Sequence, residues 1–470
     1  MARSRGKHRQ PNIPQGGYLR EEMVNPWGTE EAPSFPPAQT REATREAYSN
    51  HLMERVISRG NLLSALRRVE KNKGAAGVDG MEIKSLRPYL LDHWPEIRHQ
   101  LLNGTYQPQP VRRVEIPKPD GGVRLLGIPT VLDRLLQQAL LQVLTPIFDP
   151  IFSPQSYGFR PGRKAQDAVR QAQSYIREGY RVVVDMDLEK FFDRVNHDIL
   201  MAKVAKKVKD KRVLRLIRRY LQAGVMINGC RVATDEGTPQ GGPLSPLLAN
   251  IMLDDLDKEL SNRGHRFVRY ADDCNIYVKT KRAGERVLES VTRYVEGRLK
   301  LRVNREKSAV DRPWKRKFLG FSFTSHRDPK LRLAEKTVKR FKQKIRKLTC
   351  RSRSHSLEFR IQQLNEYLNG WSGYFRIADT RSVFQSLDEW LRRRLRMCLL
   401  KQWKKPQTKR KKLISLGIPA DLARNISGSR KGYWRLANTP QLNRALGLAY
   451  WQNQGLTSLV ARFDELRYTT

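Results

Sequence analysis

Two short apolar segments of this chain carry aspartates, and they constrain the fold more than any other feature. One segment reads RVVVDMDL and contains Asp185 and Asp187. Its run of β-branched residues predicts a buried strand. The other reads FVRYADDCNIYV, which predicts two strands meeting at a tight turn that holds Asp272 and Asp273. If these strands are neighbours in one sheet, the acids meet at one edge of it.

Clustered carboxylates need a cation. Like charges a few ångströms apart disfavour one another's ionised form unless a positive charge compensates them. Mg²⁺ prefers oxygen ligands and is typically held by one or two carboxylates plus substrate phosphates. Two such ions about 3.5–4 Å apart stabilise the attacking and leaving oxygens of a displacement at phosphorus. The pattern predicts a site for nucleotide addition at Asp187, Asp272 and Asp273. Asp185 lies on the same strand face as Asp187, and spacing alone does not choose between the two.

The charge balance predicts a polyanionic partner. The chain of 470 residues has 90 Lys and Arg against 47 Asp and Glu, a formal net charge of +43 that is spread along most of its length. Such an excess repels itself unless regular phosphates neutralise it, which indicates nucleic acid. The four cysteines, with no Cys-x-x-Cys pair, support neither a zinc finger nor a disulfide framework. No apolar run is long enough to span a bilayer, so we expect a soluble protein of the bacterial cytoplasm.

Along the chain, the apolar periodicity predicts an α+β protein followed by a helical domain. Residues 1–50 contain six prolines and read as a poorly ordered leader. Helices are predicted over 52–66 and 198–222, and a hairpin is predicted to turn at residues 120–122. The order of strands and helices is compatible with a split βαβ sheet covered on one face. After about Ser325 the segments become helices that are dense in Lys and Arg with interleaved aromatics.

Tyr270-Ala271-Asp272-Asp273 resembles the signature of reverse transcriptases. From about residue 52 to the C-terminus, successive blocks resemble in order those of proteins encoded by bacterial group II introns, most closely the compact group IIC type. The resemblance implies an RNA-directed DNA polymerase that also binds its intron RNA to assist splicing and retrohoming. It implies a right-hand polymerase with fingers and palm, a helical thumb and a small helical DNA-binding tail.

The resemblance also assigns residues. The block VDMDLEKFFD selects Asp187 over Asp185, so the implied metal site comprises Asp187, Asp272, Asp273 and the backbone carbonyl of Leu188. Phe192 matches the bulky residue that excludes a 2′-hydroxyl from the incoming nucleotide. The other implied nucleotide-binding residues are Lys118, Arg124, Gln240 with the adjacent Gly241 and Gly242, and Lys307. The implied template and primer contacts are Arg160, Arg163, Gly320 and Phe321.

The implied domains follow the same match. They are the leader (1–50), an N-terminal extension (51–110), fingers and palm (111–325), a thumb or maturase domain (326–412) and a DNA-binding region (413–470). Many intron-encoded proteins end in an endonuclease with His and Cys metal ligands, and this sequence does not contain that pattern. The resemblance therefore implies a mobile intron whose protein does not cut the second DNA strand.

The implied cofactors are two Mg²⁺ ions, with Mn²⁺ able to substitute. The implied partners are an RNA template, a DNA or RNA primer, intron RNA, deoxynucleoside triphosphates and target DNA, with no membrane partner; the sequence leaves the oligomeric state open. Two other functions fit the sequence: a domesticated reverse transcriptase with a defence or other cellular role, and an RNA-binding splicing cofactor with a vestigial polymerase. The intact set of acids argues against decay, because RNA binding alone does not need carboxylates facing a polyanion.

Overall fold

The computed structural model describes residues 51–117, 122–227, 230–232, 236–238 and 241–468. The chain divides into two compact units, one ending at Arg312 and the other beginning at Pro313. The helices of the first unit are α1 (Leu52–Val56), α2 (Arg59–Asn72), α3 (Leu86–Leu102), α4 (Val131–Phe148), α5 (Ala165–Arg177), α6 (His197–Ala205), α7 (Lys211–Gln222), α8 (Ser245–Asn262) and α9 (Lys281–Arg298). Its strands are β1 (Val111–Pro117), β2 (Val123–Ile128), β3 (Val182–Met186), β4 (Val225–Ile227), β5 (Cys230–Val232), β6 (Arg266–Tyr270), β7 (Asp273–Val278) and β8 (Ala309–Asp311).

The first unit contains two four-stranded sheets. One has the order β2-β1-β4-β5, in which β1 and β2 form the predicted antiparallel hairpin and β1 runs parallel to β4. The predicted turn at residues 120–122 lies largely outside the described residues, which resume at Gly122. The other sheet has the order β6-β7-β3-β8 and is antiparallel throughout. Its two central strands, β7 and β3, each come from one of the two segments that carry the aspartates.

The second sheet is central because β3 is apolar on both faces. Val183 and Val184 point to opposite faces, and both are buried. Helix α5 packs on β6, and α9 packs on β3 and β8. Gly284 permits this close approach of α9, since a Cβ atom there would lie 2.5 Å from a methyl group of Val310. The predicted α+β architecture is confirmed.

Two predicted helices are each divided into two. The segment predicted as one helix over 52–66 forms α1 and α2, and the segment over 198–222 forms α6 and α7. Asp210 explains the second break, because its carboxylate accepts the backbone N–H of Arg212 at 2.9 Å and so caps the start of α7. The same carboxylate accepts the N–H of Met53 at 2.9 Å, which is a tertiary contact that periodicity does not reveal.

The second unit is helical apart from a two-stranded antiparallel ribbon of β9 (Phe321–Phe323) and β10 (Leu331–Leu333). No helix within the described ranges has the length and apolarity needed to cross a membrane. The helices of the second unit are α10 (Glu335–Leu348), α11 (Leu357–Phe375), α12 (Arg381–Gln402), α13 (Pro406–Ser415), α14 (Ala420–Gly428), α15 (Tyr433–Leu436), α16 (Pro440–Ala445), α17 (Leu448–Asn453) and α18 (Leu459–Tyr468).

Aromatic rings form the core of this second unit. The ring centroid of Trp371 lies 4.5 Å from that of Phe341, 4.9 Å from that of Phe375 and 5.3 Å from that of Phe384. Phe321 on β9 joins them, with its centroid 5.0 Å from that of Phe375. Because β9 packs into this core, the division between the units falls before residue 325.

We expect Leu140→Ala to lower the free energy of unfolding by about 2–5 kcal/mol, because the truncation leaves a cavity in a close-packed core. Leu140 on α4 is 0% exposed. The matched control is Leu91→Ala on α3, where the side chain is 83% exposed. This control should change the free energy by less than about 0.5 kcal/mol. Denaturant unfolding of both variants checks the prediction, and equal losses would contradict the assigned core.

Candidate active site

The register of β3 against β7 brings the predicted acids to one end of the sheet. Met186 pairs with Cys274, and Asp187 follows directly after this last pair. On the neighbouring hairpin Tyr270 pairs with Asp273, so Ala271 and Asp272 form a two-residue turn between β6 and β7. Asp187 and the turn therefore lie at the same edge.

Asp185 occupies a different environment. It lies inside the sheet, opposite Asn275 on β7 and Ala309 on β8. Asp187 lies just beyond the paired strands, and its own backbone is fixed by the segment before β8. Its N–H donates to Oγ of Ser308 at 3.1 Å, and its carbonyl accepts the N–H of Asn304 at 2.8 Å. This arrangement favours Asp187 as the residue that faces a ligand at the sheet edge.

Burial and a neighbouring negative charge both act on Asp272. Burial raises the pKa of Asp272, and the negative charge of Asp187 raises it further. The positive charges of Arg124 and Arg269 act in the opposite direction. The Lys307 Nζ atom lies 3.6 Å from Oδ2 of Asp187, and the Lys307 side chain is 67% exposed. Asp187 thus faces an exposed cation that a ligand can replace.

The donor set fits a hard cation that shares its coordination with a substrate. Within the described parts of the chain, no three His, Cys, Asp or Glu side chains are grouped closely enough to hold a metal ion by themselves. Asp187 and Asp272 nevertheless bring oxygen ligands together at an electrostatic cost, which a divalent cation removes. Mg²⁺ suits such a site because it keeps waters and takes substrate phosphates as further ligands.

Three of the predicted nucleotide-binding residues are described. Arg124 is exposed on β2, opposite Ile116 in the hairpin register. Its positive charge acts to lower the pKa of Asp272. Phe192 is half-buried and stands edge-on to Phe191, with centroids 5.1 Å apart. Lys307 contacts Asp187 as described above. The other two, Lys118 and Gln240, lie outside the described residues.

Gly241 and Gly242 do permit close contacts of their backbone, but the contacts are with other residues of this protein. Gly241 has a φ of 123°, and a Cβ atom there would lie 2.7 Å from the carbonyl oxygen of Gly127 on β2. At Gly242 a Cβ atom would lie 2.4 Å from Oε1 of Gln137. These contacts fix the segment after residue 240 against the first sheet.

The predicted template contacts differ in their surroundings. Arg160 is buried, and its guanidinium donates to the Asp149 carboxylate at 2.7 Å and to the carbonyls of Asp149, Ser153 and Ser156. Its donors are used within the fold, which favours a structural role. Arg163 lies closer to the surface and donates to the Pro154 carbonyl at 2.7 Å. Template contact by Arg163 stays a prediction.

The predicted primer contacts lie in the second unit. Gly320 has a φ of 86°, and a Cβ atom there would lie 3.0 Å from the ring of Phe375. Phe321 is fully buried in the aromatic core. A primer at this loop would therefore meet backbone atoms rather than the Phe321 side chain.

Sequence reasoning overlooked one group of residues at this edge. Arg269, on β6 just before the turn, is fully buried with Asp257 of α8. In the sequence, Arg269 is recognisable as a charged residue within the otherwise apolar segment FVRY, but the sequence does not show which acid pairs with it.

Two family models match this chain. Residues 116–323 match the family model "Reverse transcriptase (RNA-dependent DNA polymerase)", and residues 338–415 match "Group II intron, maturase-specific domain". The chain is 35% identical over 306 residues to Protein YkfC of Escherichia coli K12, covering 57% of this chain and 79% of that protein. It is 30% identical over 342 residues to the group II intron-encoded protein LtrA of Lactococcus lactis subsp. cremoris, covering 59% of this chain and 57% of LtrA.

A solved structure, the partial Cas6-RT-Cas1–Cas2 complex, aligns with 28% identity over 52% of this chain and 42% of that one, with a TM-score of 0.35. The family model and the similarity to Protein YkfC define the class of this protein as a nucleic-acid polymerase. The chain belongs to the reverse transcriptase family, whose enzyme class is RNA-directed DNA polymerase, and it carries a group II intron maturase-specific domain.

We expect Asp272→Asn to raise the melting temperature at pH 7 in metal-free buffer. A raised pKa means that the folded state binds more protons than the unfolded chain between the two pKa values. The ionised carboxylate is therefore unfavourable in the folded protein at neutral pH, and this penalty disappears as the pH falls below the ordinary value of 3.8. The gain in melting temperature should accordingly be lost by about pH 4.

The control for this pH series is Asp198→Asn, which removes the same charge at a position that is 79% exposed. It should give no comparable gain. Because a bound cation removes the repulsion, adding Mg²⁺ should stabilise the parent protein more than Asp272→Asn. A melting temperature at pH 7 that Asp272→Asn leaves unchanged would contradict the crowding of these carboxylates.

Proposed function

We propose that this protein copies RNA into DNA at the edge where Asp187 meets the Ala271-Asp272 turn. The observation that carries the proposal is the register of β3 against β7, which ends its pairing at Met186 and so leaves Asp187 beside the turn. The raised pKa of Asp272, caused by burial and then by the charge of Asp187, supports the same placement. Membership of the reverse transcriptase family supports the reaction.

Asp187, Asp272 and Asp273 would hold two Mg²⁺ ions, or Mn²⁺ in their place, with the Leu188 carbonyl as a further oxygen ligand. Bound there, the ions supply charge neutralisation at the attacking and leaving oxygens of the phosphoryl transfer. Lys307 neutralises Asp187 while the site holds no cation, since its Nζ atom is 3.6 Å from the carboxylate.

The incoming nucleotide meets residues from both sheets. Arg124 on β2 grips the triphosphate of a deoxynucleoside triphosphate, for which a planar guanidinium is suited. The resemblance adds Lys118 as a point cation for the same phosphates. Phe192 excludes the 2′-hydroxyl of a ribonucleotide by its bulk. The resemblance assigns Gln240 to the nucleotide pocket. If a metal ion paired with Asp187, Lys307 would contact a phosphate instead of that carboxylate.

The second unit supplies a surface for RNA. Three cations surround the ring of Trp390, with Lys342, Arg346 and Arg394 at 5.7, 5.7 and 5.9 Å from its centroid. Burial lowers the pKa of Arg394, and the charges of Arg346 and Arg351 lower it further. Cations that crowd one another in this way are stabilised by phosphates, while an aromatic ring between them suits an unstacked base.

We infer that this surface binds intron RNA. It lies within residues 338–415, which match the maturase-specific domain. In this function the protein assists splicing of the intron and carries its RNA to target DNA, where residues 413–470 bind the duplex and reverse transcription completes retrohoming. The name of LtrA, a group II intron-encoded protein, supports this proposal.

Asp272→Asn and Asp187→Asn should each abolish primer extension on an RNA template while RNA binding persists. The loss should exceed about 100-fold, which is the upper range for residues that only support metal ligands. The matched control is Asp185→Asn on the same strand, which should retain most of the activity because Asp185 lies inside the sheet. Extension assays with purified protein check this, and full activity of Asp272→Asn would remove Asp272 from the reaction.

Arg346→Ala should weaken RNA binding and flatten its dependence on salt. Each phosphate contact that is lost should reduce the slope of log affinity against log salt by about 0.7 to 0.9. The control on the same helix is Lys339→Ala, since Lys339 already pairs with Glu335 at 2.6 Å. Titrations at several salt concentrations check the prediction. Equal slopes for Arg346→Ala and the parent protein would contradict phosphate contact at this surface.

A further inference from the structure

Arg269 is a fully buried cation two residues before the Ala271-Asp272 turn. Its side chain and that of Asp257 are both 0% exposed. Burying an ion pair costs desolvation, which only excellent geometry and complete hydrogen bonding offset. Such a pair therefore requires an explanation beyond stability, and its position next to Asp272 indicates one.

The guanidinium of Arg269 has all five of its N–H donors occupied. Two bonds go to the Asp257 carboxylate, at 2.7 Å from Nε and 2.6 Å from Nη2. Nη2 also donates to Oγ of Ser156 at 2.8 Å. Nη1 donates to Oδ1 of Asn250 at 3.0 Å and to the carbonyl of Ala271 at 2.8 Å. The last bond is to the turn itself, at the peptide that joins Ala271 to Asp272.

A second contact confines the preceding peptide, which joins Tyr270 to Ala271. At Gly158 a Cβ atom would lie 2.3 Å from the backbone nitrogen of Ala271, so the loop backbone touches the turn. Asn250 holds that loop, since its Nδ2 donates to the Gly158 carbonyl at 2.9 Å. Asn250 thereby joins the loop to the guanidinium, because its other side-chain atom accepts from Arg269.

The backbone of Arg269 completes the link. Its N–H donates to the Gln155 carbonyl at 3.0 Å, and its own carbonyl accepts the N–H of Tyr157 at 2.9 Å. The segment 155–158 thus runs beside β6 like a short additional strand. Ala271 has a left-handed φ of 57°, a conformation that costs free energy for a residue with a Cβ atom and that the surrounding bonds must maintain.

We propose that Arg269 is a positioning residue that fixes the Asp272 carboxylate for metal binding by holding the Ala271 carbonyl, with Asp257 and Asn250 orienting its guanidinium. This inference rests on the proposed function, in which Asp272 is a metal ligand. Arg269 touches neither substrate nor metal, and it acts through the turn.

The primary test is Arg269→Lys, which keeps the charge but cannot hold five acceptors in one plane. Loss of the fork should loosen the turn, and a displacement of about 1 Å can cost on the order of 100-fold in rate. We expect kcat for primer extension to fall by about this factor while the KM for the nucleotide changes little. The Mg²⁺ concentration for half-maximal activity should rise by about 10-fold or more.

Two readouts do not depend on activity. In metal-free protein, hydrogen exchange of the amides in residues 268–276 should be faster in Arg269→Lys than in the parent. The dissociation constant for Mn²⁺, measured by titration, should rise by about 10-fold or more. The control is Arg219→Lys in the same unit, whose guanidinium holds the carbonyls of Gly104 and Tyr106, both at 2.7 Å. This control should leave the exchange at residues 268–276, the Mn²⁺ affinity and the Mg²⁺ dependence unchanged.

If Arg269→Lys does not fold, Asn250→Ala serves as the second variant, because it removes one acceptor of the guanidinium and releases Gly158. It should show the same faster exchange and weaker Mn²⁺ binding to a smaller extent. A folded variant at either position with parental exchange, Mn²⁺ affinity and kcat would overturn the positioning role. A parent protein without metal-dependent extension would instead overturn the proposed function, so the two failures are distinguishable.

Discussion

The constraint on which the site depends is the electrostatic cost of holding carboxylates together at the edge of a buried sheet. Asp187 follows the last paired residue of β3, and Asp272 lies in the turn that begins β7. The two carboxylates do not compensate each other's charge, since burial and the negative charge of Asp187 both raise the pKa of Asp272. A fold that maintains such a pair is arranged for a cation. The rest of the first unit can be understood as the support that keeps these two residues in place.

That support consists of hydrogen bonds to the backbone on either side of the two carboxylates. Ser308 and Asn304 fix the backbone of Asp187, and Arg269 fixes the peptide that precedes Asp272. The Arg269 cation is compensated within the protein by Asp257 and is closed to solvent. Lys307, in contrast, is largely exposed and meets Asp187 at 3.6 Å. Buried cations thus maintain the geometry, whereas exposed ones are available to exchange partners.

The second unit has basic residues of both kinds. Arg360 and Arg396 are buried and donate to backbone carbonyls, whereas the cations around Trp390 lie outside the aromatic cluster of Trp371. Around Trp390 they crowd one another, and the lowered pKa of Arg394, caused first by burial, reflects their mutual repulsion in part. Part of the basic excess therefore clusters around Trp390. In the proposed function, binding of RNA relieves this repulsion.

The sequence by itself determined the nature of the partner, the α+β architecture and the two acidic segments, because charge balance and apolar periodicity are local properties. It predicted basic helices with interleaved aromatics after about Ser325, and packing shows that Trp371 among them belongs to the core. It did not reveal the breaks at Ser58 and Asp210, the small strand β4, or the ion pair of Arg269 with Asp257. The break at Asp210 and the strand β4 depend on partners far away in the chain, which are the N–H of Met53 and the strand β1. Only the tertiary structure decided them, since a hydrogen bond or a buried charge is fixed by which residues meet in space.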